Sequence, residues 1–381
     1  MKKIVIITDG HFPEGDAGAN RILYVAKAMV AAGFRVTVLC RGKYGDGEID
    51  GIEYVSFREK KVDLAAKVMA YIRFSGNVRR YLEDHSDVDM VYIYNAPAAV
   101  FKNCKRSGGK GRFSLVYDSV EWYSQEQFKL KKFSYIYQEK NRTVTKVVDK
   151  AFRVIAISRF LENYYADRGL SVLRLPVLCE ASQSQPKKIC TDVLRIFYAG
   201  SPQGKDLVGN TLKAAQMLSA EEQKRLKLIF VGVTKDHLVN KCGVTEQLLE
   251  DCKDFIELHG RKPREQVLEM MQQADFVQLF RDASLRYAKA GFPSKIVESL
   301  ANATPVFCNL SSDLAEYLRD GENALLAQSH HPEEIAKTMK RALALSAEEK
   351  MEMSRCAFAS AKAHFDYHNY VDEIKGFLSH S

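Results

Sequence analysis

The chain runs to 381 residues with 46% hydrophobic content, too long for one ordinary core and long enough for two domains. Its 56 basic and 48 acidic residues give a formal charge of +8, a mild excess that suits an anionic ligand, acidic lipid headgroups or ordinary solubility; no nucleic-acid partner is expected. The eight cysteines form no C-x-x-C pair and several lie in apolar runs, so they read as reduced thiols of a cytoplasmic protein and not as zinc ligands or disulfides.

In chain order, MKKIVIIT carries too short an apolar core for a secretion signal, and KIVIIT (3–8) reads as a strand. The loop TDGHFPEGDAGANRI follows it, with a helix expected from Ala19 or Asn20; Gly18 at that start would let a ligand approach the backbone closely. In NRILYVAKAMVAAG, Ile22, Val25, Ala26 and Met29 share one face and Gly33 ends the helix. RVTVLC (35–40), DMVYIYN (89–95), FSLVYD (113–118) and RVIAIS (153–158) are continuous apolar runs, as parallel strands covered on both faces should be. ASQSQPKKICTD (181–192) is polar and aperiodic, a linker. The rhythm then repeats in LRIFYAG (194–200), LKLIFVG (226–232), FIELHG (255–260), ADFVQLF (274–280), TPVFCN (304–309) and ALLA (324–327).

The expected fold class is therefore α/β, two doubly wound Rossmann-like domains facing across a cleft. The domains span 1–180 and 193–360, and a C-terminal helix in 361–381 is expected to pack back on the first domain. No apolar run reaches the roughly 18 residues that a membrane-spanning helix requires.

Ligands of such domains collect beyond the carboxyl ends of strands, so the loops there carry the candidates. In YAGSPQGKD (198–206), Gly200 frees the backbone, Ser201 offers a hydroxyl and Lys205 a point charge for phosphate; with Asp206 after the lysine, this is not a Walker A loop. In HGRKPREQV (259–267), Arg261 could clamp a phosphate or a base edge, and Pro263 opens the next helix. In GFPSKIVESLA (291–301), Pro293 suits a helix start, and the amides of Ser294, Lys295 and Ile296 would face an anion with the helix dipole behind them. Glu298, a turn further in, suits neutral hydroxyls such as those of a ribose. In YDSVEWY (117–123), the single tryptophan, Trp122, stands near Asp118 and Glu121 as a stacking platform for a sugar or as a core residue. Bland alternatives accompany each motif: a flexible turn, a solvated arginine, a glutamate on a helix flank.

The glycine-rich first loop, G-x-x-x-x-K in the second domain and G-x-P-x-K-x-x-E-x-x-A together resemble the GT-B glycosyltransferases of family 4, in the branch used for capsular and other bacterial surface polysaccharides. The likeness extends to the Ala-Ile-Ser turn at 156–158, to SDLAEYLRDGENALL (312–326) and to FDYHNYVDEIKGFL (365–378). It implies retaining transfer from a nucleoside-diphosphate sugar to a saccharide or polyprenyl-linked saccharide, without a metal ion or other cofactor. By position Glu298 matches the ribose-binding second glutamate of E-x7-E, Lys205 the diphosphate lysine and Gly18 the glycine of the closing loop. Gly291, Phe292, Pro293, Ser294 and Lys295 then belong to the donor site with Gly200 and Ser201, and Asp118, Glu121 and Trp122 to the acceptor side. The chain departs from the pattern in three places: Ala290 stands for the first glutamate, no arginine precedes Lys205, for which Arg261 is the substitute, and no histidine follows the fourth strand.

The implied chemistry places Lys205, Arg261 and the amides near Ser294 against charge developing on the departing diphosphate. The leaving phosphate oxygen takes the acceptor's proton, or Asp118 or Glu121 serves as general base. A sugar-nucleotide binder without catalysis, a GT-B epimerase and an inverting transferase are the alternatives. Two stretches mix aromatic and basic residues, 128–152 and 64–82, the latter with Leu64, Lys67, Val68, Tyr71, Ile72, Arg73, Arg79 and Arg80. They suit peripheral contact with an anionic leaflet at the inner face of the cell membrane.

Overall fold

The computed structural model describes residues 1–42, 45–57, 64–108, 111–181, 192–202 and 204–379, without the side chains of 64–71. Most of the expected linker thus lies outside the described residues. Contacts divide the chain into two units, one of Met1–Glu180, Ala290–Phe292 and Asp366–Ser381, the other of Ala181–Lys289 and Pro293–Phe365.

In the first unit the strands are β1 (Lys3–Thr8), β2 (Arg35–Cys40), β3 (Gly47–Ile49), β4 (Ile52–Ser56), β5 (Met90–Tyr94), β6 (Ser114–Ser119), β7 (Phe152–Ala156) and β8 (Val172–Arg174). They form one sheet in the order β3-β4-β2-β1-β5-β6-β7-β8, parallel throughout except for β3 against β4. Every residue of β1 is buried, which is why Ile4–Ile7 form a continuous apolar run between Lys3 and Thr8 and do not alternate. The sequence reading passed over β3, β4 and β8. Asp50 and Gly51 at φ 50° and 74° close a two-residue hairpin at the sheet edge, where Ile52–Ser56 needs apolar residues on only part of its length.

The helix Ala17–Ala31 lays Ala19, Ile22, Val25, Ala26 and Met29 on this sheet. It begins two to three residues earlier than expected because the Asp16 side chain caps it, accepting from the Gly18 amide at 2.9 Å. The C-terminal helix Val371–Ser379 adds Ile374 and Leu378 to the same cluster as Ile4 and Ile22.

The second unit holds β9 (Leu194–Ala199), β10 (Leu226–Val231), β11 (Ile256–His259), β12 (Phe276–Leu279), β13 (Val306–Asn309) and β14 (Ala324–Ala327). All run parallel in the order β11-β10-β9-β12-β13-β14. The order reverses between β9 and β12, so a crevice is expected outside their carboxyl ends. Cys40, Cys104, Cys179, Cys242, Cys252, Cys308 and Cys356 are free, and burial pushes the Cys308 thiol up to about 12. Among the described residues no helix is long and apolar enough to cross a membrane.

Candidate functional site

At the reversal point of the second unit, β9 runs out into Gly200, held by its amide on the Val231 carbonyl at 2.9 Å. Its φ of 127° lies in the region that favours glycine, and a Cβ there would meet Lys295 Cε at 3.0 Å and Nζ at 3.3 Å. The absent side chain is what lets the lysine cross this backbone. Beyond it Ser201 is exposed, the Lys205 amide turns back on the Pro202 carbonyl at 2.8 Å, and the Lys205 carbonyl accepts from the Tyr287 hydroxyl at 3.0 Å. Lys205 itself is half-buried.

Asp206 follows, with its side chain 3% exposed. Its Oδ1 accepts from Arg281 Nε at 2.9 Å, and its Oδ2 from Lys295 Nζ and from the Tyr198 hydroxyl, each at 2.9 Å. Burial alone would raise its pKa, but the Arg281 and Lys295 charges outweigh burial and lower it from 3.8 to about 2. Arg281 leaves the end of β12, and Asn309 braces its backbone from both sides, accepting from its amide at 3.0 Å and donating to its carbonyl at 2.9 Å. One buried carboxylate therefore gathers two cations where β9 and β12 end.

The helix Ser294–Ala301 starts at this place with Pro293 before it. Ile296 is a correction to the expected open amides: its N–H donates to the Pro293 carbonyl at 3.1 Å, inside the first turn. Glu298 is 30% exposed and paired with Arg264 Nη2 at 2.9 Å. Arg264 heads the helix Arg264–Gln273, and Arg261 is exposed in the loop just before it. The cation on Glu298 is thus Arg264, a residue that carries no expectation from the sequence, whereas Arg261, the expected phosphate clamp, stands exposed in its loop. Gly291 and Phe292 are buried and group by contacts with the first unit, whereas Pro293, Ser294 and Lys295 belong to the second.

In the first unit, Gly18 stands where a Cβ would come within 2.9 Å of the Tyr94 hydroxyl, so the first helix turn packs on the end of β5. Asp118 is 1% exposed, its two oxygens taken by Arg21 Nη2 at 3.0 Å and Nε at 3.1 Å. Arg21 Nη1 also donates to the Leu175 and Pro176 carbonyls. A carboxylate locked in this way presents no oxygen to an acceptor hydroxyl, so Asp118 is not the accessible base that its place after a strand suggested. Glu121 is half-buried; burial, and then the Glu121 charge, hold the Tyr123 hydroxyl well above its ordinary range. Trp122, also half-buried, donates from Nε1 to Asn141 at 2.9 Å and meets Tyr164 edge-on, centroids 4.4 Å apart. Its ring also packs near Phe160, centroids 6.1 Å apart.

Comparisons with known proteins cover both units. Residues 17–179 match the family described as glycosyl transferase 4-like domain, and 182–358 match glycosyl transferases group 1. The chain is a GT-B glycosyltransferase. No curated protein sequence matches it, but solved structures do. The Anabaena HepE complex with UDP and glucose superposes with a TM-score of 0.70 at 16% identity, each chain covered in full. Sucrose-phosphate synthase from Thermosynechococcus elongatus gives 0.74 at 14% identity over 100% of this chain and 98% of that one. WaaG, a glycosyltransferase involved in lipopolysaccharide biosynthesis, gives 0.69 at 16% identity over 99% and 100%.

Sequence reasoning had named Gly200, Lys205, Lys295 and Glu298 in this glycosyltransferase and missed Asp206, Arg281, Tyr198 and Arg264. A signal existed for two of them: Asp206 adjoins the loop lysine, and Arg281 comes immediately after the strand ADFVQLF.

Proposed function

We propose that this chain is a retaining glycosyltransferase that takes its sugar from a nucleoside diphosphate and passes it to a saccharide or polyprenyl-linked saccharide in bacterial surface-polysaccharide assembly. The observation that carries the reading is the cluster of Lys295 and Arg281 on Asp206 beside Gly200, with Lys205 in the same loop and the N-terminus of Ser294–Ala301 adjoining it. Two cations at the ends of parallel strands, next to a helix terminus, suit a diphosphate. Glu298 is assigned the ribose hydroxyls, with Arg264 holding its carboxylate in place. Gly18 is assigned the close approach of the first loop to the donor.

As the bond from the anomeric carbon to the phosphate oxygen breaks, its electron pair leaves with the diphosphate. Lys205, Lys295 and Arg281 stabilise that charge more in the transition state than in the bound donor. The acceptor oxygen attacks the same face, and its proton passes to the leaving phosphate oxygen, so no enzymic nucleophile is needed. These cations supply the charge a metal ion would otherwise bring, and we take the donor to be bound without one. On the acceptor side, Trp122 and Glu121 are assigned to the incoming sugar, and Asp118 to holding the fold beneath them.

A lipid-linked acceptor requires contact with a bilayer. Leu130, Phe133, Tyr135 and Ile136 are 67%, 73%, 77% and 57% exposed, beside the exposed Lys129, Lys131 and Lys132. We assign these residues to an anionic leaflet, where each cation near the surface is worth about 1 kcal/mol. Phe128 and Tyr137 are half-buried and pack on each other, their ring centroids 5.8 Å apart. In Leu64–Asp84, Phe74, Val78 and Leu82 are buried and Ile72 is exposed, whereas the side chains of Leu64, Lys67, Val68 and Tyr71 lie outside the described residues.

The direct test is incubation with a panel of sugar nucleotides and saccharide acceptors, followed by nuclear magnetic resonance of the product. Release of nucleoside diphosphate with retained anomeric configuration is expected. An inverted product would overturn the retaining assignment, and donor binding without turnover on any acceptor would make the chain a sugar-nucleotide binder.

A further inference from the structure

Lys295 and Arg281 come from different elements, one from the first turn of a helix and one from the end of β12, yet both terminate on the same carboxyl group. Their side chains are 25% and 13% exposed, against 3% for Asp206, so the carboxylate lies beneath the two cations and they retain access to solvent. Arg281 gives Asp206 its Nε–H, which leaves the Nη edge of the guanidinium for the paired contacts that grip phosphate. Lys295 is fixed on its other side by the bare backbone of Gly200, and Arg281 by Asn309. Tyr198, wholly buried in the core of this unit, donates to the same oxygen that Lys295 uses. Without Asp206 two like charges would stand close together with little water to separate them, and each would turn away from the other.

We propose that Asp206 is the positioning residue of the donor site: it holds the Lys295 ammonium and the Arg281 guanidinium side by side as a preformed pair for the diphosphate that departs from the sugar. The inference rests on the donor assignment made above and goes further by giving a role to a residue that touches no part of the donor. Cations already set in place need no reorganisation when charge moves onto the leaving group, which is where such preorganisation matters most. The carboxylate neutralises one of the two charges, so the pair remains close while the cluster keeps a net charge of about +1 to attract an anion.

The experiment compares wild type with Asp206→Asn, which keeps the shape and one acceptor oxygen, replaces the other oxygen by a donor and removes the charge. UDP, GDP, ADP, dTDP and inorganic pyrophosphate are titrated calorimetrically into both proteins, and turnover is measured with whichever sugar nucleotide the wild type uses. Diphosphate affinity in the folded variant is expected to be no weaker than in wild type, since the cluster gains positive charge, while kcat falls about ten-fold or more. A kcat per folded molecule equal to that of wild type would overturn the proposal, as would a loss of affinity at unchanged kcat, the pattern of a plain binding residue. Should Asp206→Asn not fold, Tyr198→Phe removes one donor to Oδ2 without touching any charge. A few-fold drop in kcat with unchanged diphosphate affinity is then expected, and an unaltered kcat would overturn the role. Wild type that binds none of these probes would sink the donor assignment itself, an outcome separate from a variant that merely equals wild type.

Discussion

The residue scale is where the account is most exposed to test, since its residue assignments each concern a single atom or group. If Glu298 accepts the ribose hydroxyls, Glu298→Ala should weaken nucleoside-diphosphate binding by about 1.5–3 kcal/mol, the range for hydrogen bonds to a charged group. Equal calorimetric affinities for Glu298→Ala and wild type would show that its pairing with Arg264 is the whole of its role. The Arg21–Asp118 pair makes the opposite kind of prediction. Removing one member of a buried pair leaves an uncompensated charge, so Arg21→Met should lower the stability of the first unit by about 3–5 kcal/mol in denaturant unfolding. A loss below about 1 kcal/mol would mean that water reaches the pair. Asp206 adds a pH dependence. Its folded pKa of about 2 lies below the ordinary 3.8, so its contribution is complete above pH 3.8 and is lost as pH falls through about 2. Across that window wild type should lose on the order of 2 kcal/mol that Asp206→Asn does not lose, measured by acid titration of second-unit unfolding.

Elements differ in how plainly the sequence announces them. KIVIIT and RVTVLC mark β1 and β2 to the residue because strands covered on both faces are apolar along most of their length, here Ile4–Ile7 and Val36, Val38, Leu39 and Cys40. The Gly47–Ser56 hairpin and the three-residue β8 lie toward the sheet edges, where fewer apolar residues are needed and the signal fades. In the candidate site, Gly200, Lys205, Lys295 and Glu298 were legible because strand-end loops and helix starts carry local spacing. Asp206 was not legible as a hub, because its partners Arg281 and Lys295 stand 75 and 89 residues away and meet it only when β9 and β12 lie side by side. Asp118 misled for the same reason: its partner Arg21 is 97 residues distant. The segment Lys129–Ile136 carries an element-scale prediction. The protein should pellet with vesicles of anionic lipid at low salt and be released at high salt, and Phe133→Ser with Tyr135→Ser should weaken the pelleting. Full recovery of wild type in the supernatant at low salt would refute the assignment and favour a water-soluble acceptor.

On the scale of the whole molecule, two parallel sheets reverse their strand order, one between β1 and β5 and the other between β9 and β12. In the second sheet, the loop after β9 and the end of β12 bring lysine, arginine and a helix terminus to a single point. The first offers a glycine-started helix, a half-buried glutamate and a tryptophan. On the proposed reading, one unit supplies the charge for a leaving diphosphate and the other the polar and aromatic groups for a sugar. The second unit is assigned a nucleoside diphosphate, held through these cations. A thermal-shift titration of wild type and Lys205→Ala with UDP, GDP, ADP and dTDP decides whether it does. At 100 times its dissociation constant a bound nucleotide adds about 2.7 kcal/mol of stability. At least one nucleoside diphosphate should therefore raise the melting temperature of wild type clearly, and that of Lys205→Ala much less. No shift with any of the four, or equal shifts in both proteins, would contradict the account.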